Sequence, residues 1–94
     1  MVRLRLSFNW WNIKHIARHN VDQEEVEEVC YGNPLIQKGH KGRISVIGST
    51  YTGRMLKIIL KHKGNEKYYV VTAVDASAHE IALYQKLKGG GEDE

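Results

Sequence analysis

Residues 43–74 read RISVIGSTYTGRMLKIILKHKGNEKYYVVTAV, and this stretch decides the fold. It contains three runs rich in β-branched and aromatic residues, separated by Thr52-Gly53 and by a short link that holds Gly64-Asn65. The runs are Arg43–Tyr51, Arg54–His62 and Lys67–Val74. Short glycine-containing links between such runs are typical of consecutive β-hairpins, so the stretch predicts a three-stranded antiparallel meander.

The middle run of the meander has two chemically different faces. Successive side chains of a strand point to opposite sides of its sheet. Leu56, Ile58 and Leu60 therefore share one face, whereas Lys57 and Lys61 share the other. The pattern predicts an apolar face covered by helices and an exposed basic face that carries Lys57, Lys61, Ser45 and Tyr69.

The segments around the meander predict one further edge strand, a short strand and three helices. Alternation marks Val2–Phe8 as a strand, and Ser77 opens a final helix with a Ser-x-x-Glu capping pattern. The other predicted elements are helices Trp10–His19 and Gln23–Tyr31 and a short strand Leu35–Lys38. In the first helix, Trp10, Ile13, Ile16 and Ala17 recur at the spacing of a core-facing stripe.

Together these elements predict an α+β domain with a small antiparallel sheet, in which all three helices pack on the apolar face. A chain of 94 residues forms one modest core, so we expect a single domain over residues 1–88. The Gly-rich, acidic residues 89–94 are expected to form a flexible tail.

The net charge of +3 conceals a segregation of charge along the chain. Five of the 11 acidic residues lie between Asp22 and Glu28, and three more are the last residues of the chain. Outside these two stretches, 14 basic residues accompany only Glu66, Asp75 and Glu80. Such a surface suits either a polyanion bound through its phosphates or simple solvation.

Composition excludes several classes of protein. At 41% hydrophobic and 27% charged residues, the chain is typical of a folded domain, and it holds no apolar run long enough to span a membrane. The single cysteine, Cys30, is compatible with a reducing compartment, so we expect a cytoplasmic protein without a membrane partner.

The sequence holds neither a nucleophilic triad pattern nor a phosphate-cradling or dinucleotide-binding loop. His15 and His19 have the spacing of two metal ligands on a helix but supply only half a site, so we expect no metal and no cofactor. The hydrolytic chemistry left open is metal-free RNA cleavage by the ribose 2′-hydroxyl. It needs a base, an acid and a cation, for which the candidates are His19, Arg54, Lys57, His62 and Tyr84.

Several short segments resemble the BrnT family of bacterial type II toxins. In the first half they are Trp11-Asn12, the run from His15 to Val21, and the acidic run from Glu24 to Val29. In the second half they are Gly42-Arg43, Ile47-Gly48, residues 52–56 and 70–73, and then Ala76, Glu80 and Tyr84. The resemblance spans about residues 8–84, nearly the whole domain.

The resemblance implies a RelE-like ribonuclease fold, an RNA substrate and a DNA-binding antitoxin as partner. The family's basic residue in the Gly-Arg turn corresponds to Arg54, and its Arg-His pair at the end of the first helix corresponds to Arg18 and His19. From these correspondences and the residue chemistry, the candidate catalytic residues are Arg54, His19, His62 and Tyr84. The candidate RNA-binding residues are Arg18, Arg43, Lys57, Lys61 and Tyr69.

The chain departs from the family pattern before its last helix. Where the family usually has Ser/Thr-Ala-Arg, this sequence reads Thr72-Ala73-Val74, and Asp75 stands where a base is also common. Two hypotheses follow. The protein is either a toxin-like endoribonuclease or a catalytically degenerate module that binds a partner protein or RNA; a homodimer through the sheet edge or first helix is a further alternative.

Overall fold

The computed structural model describes residues 5–89. The elements are β1 (Arg5–Ser7), α1 (Trp10–Ala17), α2 (Gln23–Tyr31), β2 (Leu35–Lys38), β3 (Arg43–Ser49), β4 (Met55–His62), β5 (Lys67–Asp75) and α3 (Ala78–Tyr84). A π-helical segment, Gln85–Gly89, continues α3. The predicted α+β class is confirmed, and residues 1–4 and 90–94, with most of the predicted tail, lie outside the described residues.

The described strands form one sheet in the order β1-β5-β4-β3-β2. The predicted meander is confirmed, since β3 pairs antiparallel with β4 and β4 pairs antiparallel with β5. The N-terminal strand lies at an edge, as predicted, but it runs parallel to β5, with Leu6 opposite Tyr68. The sheet is therefore mixed rather than wholly antiparallel. Alternation reveals a strand but carries no information about its direction.

The main core lies between the sheet and the first two helices. Leu56, Ile58 and Leu60 of β4 are fully buried there, together with Ile16 of α1 and Val26 of α2. Gly48 of β3 allows this close packing, because a Cβ at that position would lie 3.1 Å from Cγ1 of Val29. The predicted apolar face of β4 is confirmed.

Helix α3 packs on the opposite face of the sheet, so the prediction of three helices on one face is wrong. Nζ of Lys57 lies 2.8 Å from Oε2 of Glu80, and Ile47, which pairs with Lys57 across β3 and β4, is 2% exposed. Within the described residues, the core cluster under α1 and α2 includes no side chain from α3. The aliphatic stem of a lysine can lie in a contact while its ammonium group is paired, so a lysine-bearing face can still carry a helix.

The stripe predicted for α1 is also wrong in part. Trp10, Ile13 and Ala17 are exposed, and the buried positions are Asn12 and Ile16. Asn12 tolerates burial because its side chain accepts a hydrogen bond from the backbone N–H of Asn9 and donates one to the carbonyl oxygen of Ser7. Asn12, a polar member of the capping box, is thus buried on the side of α1 where the helical period predicted only apolar side chains.

No helix within residues 5–89 is long and apolar enough to cross a membrane.

Candidate nucleic-acid interface

Arg54 leaves the tight turn between β3 and β4 with a fixed direction. Gly53 adopts the left-handed conformation, with φ of 93°, and the hydroxyl of Thr50 accepts a hydrogen bond from the backbone N–H of Arg54 at 3.1 Å. These contacts set the start of β4. They aim the Arg54 side chain at the end of α1 and at the start of α2.

The guanidinium of Arg54 forms hydrogen bonds with four residues from three other segments of the protein. Its Nε donates to Oδ1 of Asp75 at 2.8 Å, and its Nη1 lies 3.2 Å from both carboxylate oxygens of Glu25. Nη1 also donates to the carbonyl oxygen of Asn20 at 2.6 Å, and Nη2 to that of His19 at 3.2 Å. A phosphate would have to displace at least one of these partners in order to use the same donors.

Charge pairing shifts the ionisation of this cluster. The hydrogen bond to Asp75 is the main cause that raises the pKa of Arg54, and the same bond holds the pKa of Asp75 below its usual range. The acid that departs from the family pattern is thus the direct partner of the predicted catalytic arginine. Sequence reasoning flagged both residues without predicting their contact.

Two histidines lie beside this cluster. The rings of His15 and His19 have centroids 5.7 Å apart, and Nε2 of His15 lies 3.1 Å from Oγ1 of Thr72 on β5. Both histidines are exposed, and the backbone of His19 contacts Arg54. The structure therefore brings the backbone of His19 to Arg54, and it adds His15, which was not among the predicted catalytic residues.

A second group of candidates forms a row across three strands. Arg43 pairs with Lys61, and Lys61 pairs with Tyr69, so the three side chains lie side by side on one face. Nζ of Lys63 lies 5.9 Å from the centre of the Tyr69 ring. Arg43, Lys61 and Tyr69 are called the basic row below. Like charges placed directly opposite each other destabilise a sheet, and a bound anion would relieve that repulsion.

The remaining candidates lie elsewhere. His62 ends β4, with its ring 5.0 Å from that of Tyr68, whereas Arg54 precedes the same strand. At about 3.4 Å per residue, the length of β4 separates them by more than 20 Å. The Tyr84 hydroxyl, at the end of α3, lies 3.4 Å from the carbonyl oxygen of Asn33, and Lys57 is paired with Glu80.

The outer surface of α1 has a feature that the sequence reasoning missed. Trp10 and Trp11 are 64% and 67% exposed, and their rings meet edge to face with centroids 5.2 Å apart. Nζ of Lys14 lies 5.1 Å from the centre of the Trp10 ring, and Arg18 follows one turn later. Trp10, Trp11, Lys14 and Arg18 are called the tryptophan surface below. Trp11 lies off the stripe predicted to face the core, and a tryptophan outside that stripe was the signal that could have indicated this surface.

The potential metal ligands of residues 5–89 are dispersed, and Cys30 is buried. Residues 5–89 contain no group of three or more His, Cys, Asp or Glu side chains arranged to hold a metal ion. Burial raises the pKa of the Cys30 thiol to about 12, so the reactive thiolate form is scarce at neutral pH.

Comparison with protein-family models and with curated proteins finds no match. Among solved structures, the chain is similar to the ribonuclease toxin BrnT of Brucella abortus, with a TM-score of 0.64 and 19% sequence identity. The likeness covers 80% of this chain and 99% of that one. The resemblance that the sequence indicated is thus confirmed as a likeness of fold: this chain folds like BrnT.

Proposed function

We propose that the protein is a toxin-like endoribonuclease that cleaves RNA without a metal ion and is neutralised by an antitoxin. The observation that carries the proposal is the likeness of fold to a ribonuclease toxin over 80% of the chain. The basic row supports an RNA substrate, because Arg43 and Lys61 stand side by side with no ion pair to an acid among the described residues. We expect this activity in the cytoplasm, where RNA is available.

The proposed chemistry is transfer of a phosphoryl group within the RNA. The 2′-hydroxyl oxygen attacks the adjacent phosphorus, the bond to the 5′-oxygen breaks, and a 2′,3′-cyclic phosphate forms. One imidazole takes the proton of the attacking hydroxyl and another protonates the leaving oxygen, which suits the neighbouring rings of His15 and His19. Arg54 and Arg18 are the cations proposed to stabilise the developing negative charge.

His62 and Tyr84, the other two predicted catalytic residues, lie on different parts of the surface from His19 and Arg54. His62 lies near the basic row, because it follows Lys61 directly, and it is proposed to contact RNA there. Tyr84 lies at the end of α3, the helix that is paired with Lys57.

A cleavage assay with purified protein tests the enzymatic proposal. Labelled single-stranded RNA is incubated with the protein in excess chelator, and the expected products end in a 2′,3′-cyclic phosphate. His15→Ala and His19→Ala are each expected to lower the rate by about 100-fold or more. His79→Ala is the matched control, since His79 is an exposed histidine on the first turn of α3. RNA that stays intact, without growth arrest when the protein is induced in a bacterium, would refute the proposal.

A second candidate is a catalytically degenerate module on the same scaffold, which binds a partner protein or RNA. The observation that favours it is the occupation of the Arg54 guanidinium by Asp75 and Glu25. Asp75→Asn weakens this hold while keeping the shape of the side chain. If Asp75→Asn gains a cleavage activity that the wild-type protein lacks, the degenerate module is the right description of the natural sequence.

The antitoxin is the proposed protein partner, and co-expression tests it. A small DNA-binding protein encoded beside this gene is expected to restore growth and to co-purify with the toxin. A homodimer through α1 or through the edge strand β2 is a separate proposal, which measurement of mass in solution tests.

A further inference from the structure

The tryptophan surface leaves two of the largest apolar side chains in water. A tryptophan typically buries 150–250 Å² when it packs, yet Trp10 and Trp11 are each about two-thirds exposed. Neither residue is needed to fill the core, because the buried residues of α1 are Asn12 and Ile16. A surface that exposes a contiguous aromatic pair in this way is typical of a binding site.

The charge around the pair indicates an anionic ligand. Helix α1 contains no acidic residue, and Lys14, His15 and Arg18 lie on the same side as the two indole rings. The contrast with α2 is sharp, because α2 carries four glutamates within nine residues. The cations beside the two indole rings therefore suit a ligand that presents negative charge together with flat aromatic groups.

The shape of the surface indicates a polymer rather than a small molecule. Trp10, Trp11, Lys14, His15 and Arg18 line a shallow depression of about 110 Å³. Pockets that enclose a whole cofactor or drug-sized ligand have volumes of about 300 Å³ or more. The depression is too small to enclose such a ligand, whereas the exposed indole rings that line it can contact flat units of an extended polymer.

We propose that the tryptophan surface binds unpaired bases of single-stranded RNA, which stack on Trp10 and Trp11 while Lys14 and Arg18 bind the flanking phosphates. Aromatic side chains interleaved with cations are the usual means of holding single strands, because every base has a flat face to stack. His15 lines the depression and also contacts Thr72, so the bound strand would lead directly to the His15 and His19 rings.

This inference rests on the proposed RNA substrate but not on cleavage. The probe is therefore a single-stranded oligonucleotide of roughly ten 2′-O-methyl uridines, within the range of site sizes of single-strand binders. It lacks the attacking hydroxyl and is not cut. Trp10 and Trp11 are the two tryptophans of the chain, so quenching of intrinsic fluorescence reports directly on this surface.

Trp10→Ala and Trp11→Ala are each expected to weaken binding of the probe by about 5- to 140-fold, the range for loss of one stacked base. Trp→Phe at the same positions is expected to recover part of the affinity. Lys14→Ala is expected to lower the slope of log affinity against log salt by about 0.7, the value for one phosphate of a single strand.

Two controls isolate the role of stacking. Tyr31→Ala removes an aromatic side chain of similar exposure, 56%, from the acidic helix α2 and is expected to leave the affinity unchanged. A fully paired 2′-O-methyl RNA duplex hides its base faces, so its affinity is expected to be the same for the wild type and the tryptophan variants. Circular dichroism of each variant verifies that the fold is retained.

The outcomes separate this inference from the proposed function. RNA cleavage with an affinity that does not depend on Trp10 and Trp11 would overturn the inference and leave the function standing. Tryptophan-dependent binding without cleavage would support the inference and count against the enzyme. Absence of any binding to RNA would overturn both. Tryptophan variants that bind RNA normally and lose only the affinity for an antitoxin would overturn the inference alone, since that result makes the surface a protein interface.

Discussion

Arg54 joins four segments of the chain through a single guanidinium. Its partners are the carboxylates of Glu25 and Asp75 and the carbonyl oxygens of His19 and Asn20. Because the planar group has donors in several fixed directions, one side chain ties the end of α1, the start of α2 and the end of β5 to the β3–β4 turn. The same guanidinium therefore holds the backbone of His19 in place and stabilises the fold.

Arg54→Lys is expected to lower the free energy of unfolding by about 2 kcal/mol, although it keeps the charge. A single ammonium group cannot serve two carboxylates and two carbonyl oxygens at once, and hydrogen bonds to charged groups contribute about 1.5–3 kcal/mol each. Urea unfolding measures the change. Arg43→Lys, at an exposed strand position, is the control and is expected to change stability little. Equal stability of the Arg54 variant and the wild type would contradict the anchoring role.

Asp75 is expected to make the free energy of unfolding depend on pH in the acidic range. Because the hydrogen bond from Arg54 lowers the pKa of Asp75, the folded state binds a proton less readily than the unfolded chain does. The contribution is therefore present above the unfolded pKa of about 4 and is lost as the pH falls through the folded pKa. The difference in unfolding free energy between the wild type and Asp75→Asn should shrink below pH of about 4 in urea titrations. A constant difference from neutral pH to strong acid would refute this linkage.

Helix α3 covers part of the sheet face that carries the lysines. Ser77 caps the helix by accepting a hydrogen bond from the N–H of Glu80, and Glu80 in turn accepts from the N–H of Ser77 and pairs with Lys57. Burial acts to raise the pKa of Glu80, but the bonds from Lys57 and Ser77 together outweigh it and lower that pKa. One glutamate therefore starts the helix and attaches it to β4.

Glu80→Gln is expected to free Lys57 for RNA while it costs less than about 1 kcal/mol of stability. Glutamine retains the capping geometry, whereas the partly exposed ion pair is lost. We expect tighter binding of an uncleavable single-stranded RNA and a salt slope larger by up to about 0.7. Fluorescence titration over a series of salt concentrations measures both. Glu24→Gln, which removes an exposed acid from α2, is the control, and an equal gain in that variant would show that only net charge matters.

Within residues 5–89, the acidic helix α2 and the basic row lie at opposite ends of the sheet. Glu25 and Glu28 of α2 contact the end near Arg54 and Tyr51, whereas the basic row lies at the opposite end of β4. This distance, roughly 20 Å or more, exceeds the Debye length of about 8 Å at physiological salt. The acidic helix therefore does little to neutralise the basic end, despite the modest net charge.

Lys61→Gln is expected to change stability and RNA affinity in opposite directions. Removing one of two adjacent like charges should leave the fold unchanged or raise its stability by a few tenths of a kcal/mol. The same change should weaken RNA binding and reduce the salt slope by about 0.7. Thermal unfolding and fluorescence titration measure the two effects. Lys86→Gln, in the exposed C-terminal segment, is the control, and a loss of affinity equal in both variants would contradict a role for the basic row.

Much of the architecture was predictable because its signals are local. Helix α2 and strand β2 have the predicted bounds, since Asp22 and Glu25 form a capping box within one turn, and Gly32 and Pro34 end and turn the chain. The site was predictable only in part. His19 and Arg54 are neighbours, but His62 and Tyr84 lie elsewhere in the structure. The type of a residue indicates which chemistry it can perform, but not which other residues lie within its reach.

The sequence by itself determined the strands of the meander, their two faces and the helix starts, because alternation and capping act between residues a few positions apart. Only the tertiary structure decided that β1 runs parallel to β5, that α3 lies over Lys57, and that Asp75 holds Arg54. These features join residues more than 20 positions apart, through strand register and helix docking, which no local pattern encodes. The meander stretch thus specified a sheet, and the packing around it specified which of its cations remain available to a ligand.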